Sequence, residues 1–194
     1  MYRDKVNMPR KKEYIEEEVI EKAMNLFWLN GFENTSMQML EKEMGINKFS
    51  IYSSFVNKNG VFLECVRIYN KKLDLVIDKL KNSTNGILGI KQYFYDFIDF
   101  TNISELGKGC LVTNTSNEIG NETDERVKEV LSNFMEDLKK VFIKSLSQDL
   151  NKEIAIIQEQ ADFLIISMFG LSSATRMFKK DQLNNYVENV FKNL

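Results

Sequence analysis

Apolar positions recur along this chain with the period of a helix. Ile20, Ala23, Met24 and Phe27 fall at i, i+3, i+4 and i+7 and mark one face of a first helix. Asn30-Gly31 predicts its end, because glycine accepts the left-handed closing conformation. Thr35-x-x-Gln38 has the form of a capping box, opening a short second helix with Met37, Leu40 and Met44 on its apolar side and Gly45 as its stop. Asn47 predicts the cap of a third short helix ending at Phe55, and Asn57 that of a long fourth over 58–81.

The stretch Asn82-Ser83-Thr84-Asn85-Gly86 reads as a loop. A fifth helix over 87–102 carries Tyr93, Phe94, Tyr95, Phe97 and Phe100. Gly107-Lys108-Gly109 breaks the chain before a sixth helical piece over 110–119. Thr123 predicts the cap of a seventh helix, with Asp124 and Glu125 in the first turn, where the helix dipole favours acids. Its apolar face is Val127, Val130, Leu131, Phe134, Leu138, Val141 and Phe142. An eighth helix over 154–178 and a ninth over 182–193 complete the chain, and no run alternates with the period of a strand. The expectation is an all-α protein of about nine helices, with a small three-helix unit over 1–57 and a larger helical domain over 58–194.

Composition sharpens this picture. A single proline and nine glycines in 194 residues leave room for long helices. The net charge of −2 speaks against an indiscriminate nucleic-acid coat, yet two stretches are locally basic. One is Pro9-Arg10-Lys11-Lys12; the other is 45–60, which holds Lys48 and Lys58 and no acid. The acidic run between them, Glu13 and Glu16 to Glu18, reads as a solvated helix face and first turn. With no histidine, His-based catalysis and His-ligated metals are excluded. Cys65 and Cys110 form neither a disulfide framework nor a metal knuckle, and the scattered acids supply no nucleophile–base pair. An enzyme, a metal site and a cofactor are therefore not expected. The apolar run 161–171 falls short of the ~20 residues a bilayer span takes, and the N-terminus shows no signal peptide. A cytoplasmic protein without a membrane partner is the expectation.

Helix, glycine turn and helix within residues 36–55 have the dimensions of a helix-turn-helix. Its second helix must be short, free of acids and faced with small polar groups to enter a major groove. Lys48, Ser50, Ser53 and Ser54 meet that need, while Ile51 and Phe55 face back into the domain. The segment 31–62 closely resembles the TetR-family DNA-binding domain: Thr35-Ser36 opens helix two, Gly45-Ile46 makes the turn, and Tyr52-x-x-Phe55-x-x-Lys58 follows, with Ala23-x-x-x-Phe27 upstream. The resemblance implies that Thr35, Ser36, Tyr52 and Lys58 contact phosphates; hydroxyls and N–H groups at a helix N-terminus suit an anion. Gln38, Lys48, Phe49, Ser50 and Ser53 become candidates for base edges of operator double-stranded DNA, Lys48 toward guanine and Phe49 toward a thymine methyl. The basic arm at Arg10 to Lys12 is a candidate for phosphates or the minor groove. Three positions depart from the family's habit. Glu41 stands where a small alanine is usual, Phe49 replaces a small residue, and Gly60 is expected to loosen the fourth helix by about 1 kcal/mol relative to alanine.

For the larger domain the resemblance implies effector binding and homodimerisation, so that two recognition helices lie about 34 Å apart on a palindromic operator. Leu164, Ile165, Met168, Leu171, Leu183, Val187 and Val190 fit a bundle seam between subunits, with Gly170, Ser173 and Ala174 permitting close approach. Tyr93, Phe94, Phe97, Phe100, Phe134, Phe163 and Phe169, with Cys110, are candidates to line a pocket for a small apolar or aromatic effector. Gly109-Cys110-Leu111-Val112-x-Asn114-Thr115-x-x-Glu118 resembles a motif of one branch of the family, some members of which sense electrophiles or oxidants through the cysteine aligned with Cys110. A thiol-sensing repressor is thus the alternative, Lys108 lowering the thiol's pKa. Set against it is a cysteine used as a small apolar packing residue.

Overall fold

Nine α-helices and no strand are present among the described residues, 14–101 and 108–194 of a computed structural model. They are α1 (Glu16–Asn30), α2 (Met37–Met44), α3 (Lys48–Phe55), α4 (Lys58–Lys81), α5 (Ile87–Thr101), α6 (Leu111–Ser116), α7 (Glu125–Leu146), α8 (Ile154–Ala174) and α9 (Lys180–Val190), closed by a 3-10 turn over Phe191–Asn193. The basic arm at Arg10 to Lys12, and Gly107, lie outside the described residues.

Local polar groups set the helix starts. Asn47 caps α3 by accepting the Ser50 N–H at 2.8 Å, and Asn57 caps α4 by accepting the Gly60 N–H at 3.0 Å. Two expected caps fall one residue later. Ser36, not Thr35, caps α2, its Oγ accepting the Met39 N–H at 3.2 Å. The Thr35 hydroxyl is occupied elsewhere, donating to the Gly31 carbonyl at 2.6 Å and closing the turn after α1. Asp124 caps α7 through the Arg126 N–H at 2.9 Å, while Thr123 Oγ accepts the Gly120 N–H. The expected eighth helix stops at Ala174, short of 178, and α9 begins at Lys180.

Helix α4 is the shaft of the molecule. Its first half packs Val61, Phe62, Cys65 and Val66 toward α1, each fully buried. The Phe62 ring stands edge-on to Phe27 at 5.3 Å and to Phe32 at 4.8 Å. Its second half carries Leu73, Val76, Ile77 and Leu80 into the contacts with α5 and α7. Each such side chain contributes about 1.5–3 kcal/mol through burial. One continuous apolar cluster therefore runs from Val19 to Val190. The boundary expected at 57/58 falls in a tight turn, while the front of α4 packs with the N-terminal unit.

That turn is unusual. The Asn57 N–H donates to the Phe55 carbonyl at 2.8 Å across Val56, whose φ of 70° and ψ of −50° describe a γ-turn strained for a β-branched residue. A Cβ on Gly60 would stand 1.8 Å from the Phe55 carbonyl oxygen. Gly60 was expected to loosen α4; instead it is what lets the end of α3 press onto the start of α4.

Helix α8 is apolar on two sides. Ile157, Ala161, Leu164, Met168 and Leu171 face the core, and Ile156, Phe163 and Ile166 face outward. It is long and apolar enough to cross a membrane by length and composition, with a mean hydropathy of 1.4, which the shorter contiguous run 161–171 understates. Its inner face packs against α7 and α9.

Candidate nucleic-acid interface and effector cavity

The α2–turn–α3 unit is held from both sides. Gly45 takes the left-handed conformation, φ 68° and ψ 23°, that swings the chain from one helix into the next. Leu40, Met44, Ile51 and Phe55 are buried beneath it. Glu41 explains its departure from alanine: its Oε1 accepts the Lys48 N–H at 2.9 Å, so α2 caps α3 directly. On the outer side Phe49 is 81% exposed and Tyr52 44% exposed, with Lys48, Ser53 and, on α2, Gln38 also exposed. The Lys48 ammonium lies 5.8 Å from the centre of the Tyr52 ring. Ser53 Oγ donates to the Ser50 carbonyl, Ser50 is half-buried, and Ser54 Oγ is hydrogen-bonded to the Tyr14 hydroxyl at 2.7 Å.

Two residues expected at phosphates are placed otherwise. Thr35 is 1% exposed and bonded to Gly31, so its hydroxyl does not reach the surface. The Lys58 ammonium donates to the Phe32 carbonyl at 3.0 Å and the Glu33 carbonyl at 3.5 Å, and sits 4.4 Å above the Phe32 ring. It clamps the turn between α1 and α2 through those two carbonyls. Ser36, exposed at the start of α2, and Tyr52 remain at the surface.

Between α5, α6, α7 and α8 lies a small cavity of about 10 Å³, room for about one water, lined by Tyr93, Phe97, Cys110, Phe134 and Phe169 among the expected residues. Thr113, Met135, Leu138, Met168 and Ser172 complete the lining. Sequence reasoning did not mark Thr113 and Ser172, whose polar groups among apolar neighbours were the available signal. Three expected lining residues sit elsewhere. Phe94 packs on Phe142 and Phe191 in the core, Phe100 packs on Trp28 and Tyr69, and Phe163 is 47% exposed on the outer side of α8. A wider cleft of about 220 Å³ between α4 and α7 shares Phe134 and Leu138 with the cavity.

The residues expected at a subunit seam face inward. Leu164, Met168, Leu171, Leu183, Val187 and Val190 are buried within the chain, and Ile165 is half-buried. Helix α8 has apolar side chains on both faces, so periodicity did not reveal which one the core would claim. The face left open carries Phe163, Ile166, Gly170 and, from α9, Tyr186, which donates to the Ser167 carbonyl at 3.1 Å.

Helix α6 joins the cavity to the helix-turn-helix. At its start the Cys110 N–H donates to Ser172 Oγ at 2.9 Å, and Trp28 Nε1 of α1 donates to the carbonyls of Lys108 at 3.0 Å and Gly109 at 3.1 Å. Just past its end, Glu118 accepts the Glu33 N–H at 3.0 Å, in the turn that leads to α2. Farther along, Asn59 of α4 donates to Asp124 at 3.1 Å. Asp124 is held well below the usual carboxylate range, chiefly by its hydrogen bonds from Arg126.

The thiols are quiet. Burial pushes the Cys110 pKa up, against hydrogen bonds from Tyr69 and Thr113, and burial pushes the Cys65 pKa up as well. Lys108, expected to lower the thiol's pKa, is not among the groups acting on it, and its ammonium sits over the Trp28 ring, 5.2 Å from its centre.

An exposed, braced α3 following the Gly45 turn has the form of a helix-turn-helix. Residues 19–65 match the model of the bacterial regulatory proteins, tetR family. The chain is 29% identical over 112 residues to the uncharacterized HTH-type transcriptional regulator YezE of Bacillus subtilis, 57% of this chain and 58% of that one. It is 21% identical over 150 residues, 75% of this chain and 81% of the relative, to IcaR of Staphylococcus aureus, the negative transcriptional regulator of the biofilm operon icaADBC. Among solved structures, a cysteine mutant of the TetR-family regulator CifR complexed with 26bp double-strand operator DNA superposes with a TM-score of 0.84 at 22% identity, covering 95% of this chain and 98% of that one. Reduced NemR of Escherichia coli gives 0.73 at 16% identity, covering 91% and 94%. Residues 19–65 are thus similar to the tetR-family regulatory proteins, and the fold of the chain is that of TetR-family structures. The relatives it matches are HTH-type transcriptional regulators, and the chain spans 58% of the length of the first of them.

Proposed function

We propose that this protein is a cytoplasmic repressor that binds a palindromic operator as a homodimer and is released by a small effector entering the cavity beneath α6. The observation that carries this reading is the placement of α6 itself. One end borders the cavity through Cys110 and Thr113, and the other is tied through Glu118 to the turn that sets α2. A ligand that displaces α6 moves that turn, and with it the recognition helix. The ligand must favour the displaced state, since equal affinity for both states shifts nothing. In the bound state α3 reads the major groove through Lys48, Phe49 and Ser53, with Gln38 of α2 beside them, while Ser36 and Tyr52 meet phosphates. The open apolar face of α8, with Phe163 and Ile166, supports pairing of two copies.

Fluorescence anisotropy of the chain with its own upstream DNA and with a scrambled duplex, over a range of salt, tests the reading. The expected result is tight binding to the upstream DNA alone, weakening steeply with salt and lost in Tyr52→Ala. Equal weak binding to both duplexes would overturn it. Cys110→Ser retains the effector response on this reading, whereas a thiol-sensing repressor would lose it.

A further inference from the structure

With 81% of its surface exposed, Phe49 takes little direction from packing, so the backbone on either side of it sets its aim. Both neighbours are pinned. The Lys48 N–H donates to Glu41 Oε1 at 2.9 Å, and the Ser50 N–H donates to Asn47 Oδ1 at 2.8 Å. The two bonds differ in reach. Asn47 is the cap of α3 itself, so its bond travels with the helix. Glu41 stands on α2, across the Gly45 turn, and its bond ties one helix to the other. Little else fixes the start of α3. Apart from its chain neighbours, no atom of the described residues lies within 4 Å of where a Cβ on Gly45 would sit, so the turn is not wedged by packing. The buried anchors of α3, Ile51 and Phe55, lie beyond its first turn.

Resting on the operator-binding reading above, we propose that Glu41 is a positioning residue for base recognition: it ties the first turn of α3 to α2 and so aims Phe49 at the base edges. It acts through the Lys48 backbone and not through a contact of its own with DNA. The position needs an acceptor at the right reach. Glutamine carries a carbonyl oxygen there and alanine carries none. The bond lies at the surface, where water takes over the freed Lys48 N–H, so its loss falls on the aim of the first turn and hardly on folding.

The test is a cycle of Glu41→Ala, Phe49→Ala and the double variant in the full chain, with Glu41→Gln beside them. Each is titrated by anisotropy against the upstream operator duplex and a scrambled duplex at one salt concentration. The readout is the ratio of the two Kd values, with the melting temperature measured on the same preparation. Glu41→Ala is expected to cut the ratio about ten-fold by weakening the operator complex alone, at an almost unchanged melting temperature. Phe49→Ala should cut it at least as far, and the double variant no further than Phe49→Ala, because the two residues act as one unit. Glu41→Gln should keep the ratio within about two-fold of the unmodified chain, since the acceptor is retained. Additive losses in the double variant overturn the inference, as does a Glu41→Gln variant that behaves like Glu41→Ala. Equal weakening on both duplexes together with a lower melting temperature would make Glu41 a structural brace and overturn it too. A chain that prefers its operator and keeps the whole preference in Glu41→Ala overturns the positioning role and leaves the operator reading standing. An unmodified chain without any preference overturns the operator reading, and the inference with it, before a substitution is made.

Discussion

Gly60 sits so close to Phe55 that a methyl group on its α-carbon would stand 1.8 Å from the Phe55 carbonyl oxygen. That backbone atom has no flexible end to swing aside. Gly60→Ala must separate α3 from α4, and overpacking of this kind destabilises by about 2 kcal/mol or more. Because α3 carries the exposed reading face, operator affinity should fall beyond what the lost stability explains. Thermal melting and anisotropy on one preparation check both effects; an unchanged melting temperature would show that the two helices are not pressed together.

Phe49 projects from the first turn of the recognition helix with 81% of its surface exposed, an arrangement that favours an apolar partner in the groove. If it packs on a thymine methyl, replacing that thymine by deoxyuridine removes about 0.8 kcal/mol, roughly four-fold in Kd. Scanning each thymine of the operator in this way should find one sensitive position per half-site. Phe49→Ala should abolish the sensitivity while keeping the salt dependence. Uniform tolerance of deoxyuridine would remove Phe49 from base reading.

Ile166 and Phe163 stand on the open face of α8, away from the chain's own core. Ile166→Glu places a carboxylate in the centre of the proposed subunit contact, where it has no partner. The variant should sediment as a monomer with an unchanged helical circular dichroism spectrum and bind the operator at least tenfold more weakly. A dimer that survives this substitution would place the contact elsewhere.

Tyr69, Tyr93 and Tyr95 hold their phenol protons beyond the ordinary range. Burial lifts Tyr69 and Tyr93 far above the ordinary phenol value, and burial with the hydrogen bond to Glu188 pushes Tyr95 up to about 12. Above pH ~10 the unfolded chain loses these protons and the folded one keeps them, so stability falls as pH rises. The expected outcome is a stepwise ultraviolet phenolate titration in which the last tyrosines ionise together with loss of helical signal. Smooth ionisation of every tyrosine before unfolding would contradict their burial.

Glu118 reaches from the end of α6 to the Glu33 N–H at 3.0 Å. Glu118→Ala should leave operator binding within a few-fold and shrink the ratio of affinities measured with and without a releasing ligand toward one. Full release in this variant would remove the contact from the coupling.

Much of this protein was legible in its sequence. The period of Ile20, Ala23, Met24 and Phe27, and the caps at Asn47 and Asn57, are local matters settled within a turn or two of helix, and they hold in the structure. The spacing of Tyr52, Phe55 and Lys58 was enough to place the chain among its relatives. What needed tertiary structure was the choice between equal local options. Both faces of α8 are apolar, and only packing against α7 and α9 determined that Leu164 and Leu171 go inside and Ile166 outside. Lys58 is a basic residue at a helix start in either reading; only the fold brings the Phe32 carbonyl within 3.0 Å of it. Glycine at position 60 looked like a defect until the Phe55 carbonyl was found above it. Sequence encodes periodicity and capping because their partners are three or four residues away. Which face is buried, and which carbonyls Lys58 meets, depend on residues far along the chain.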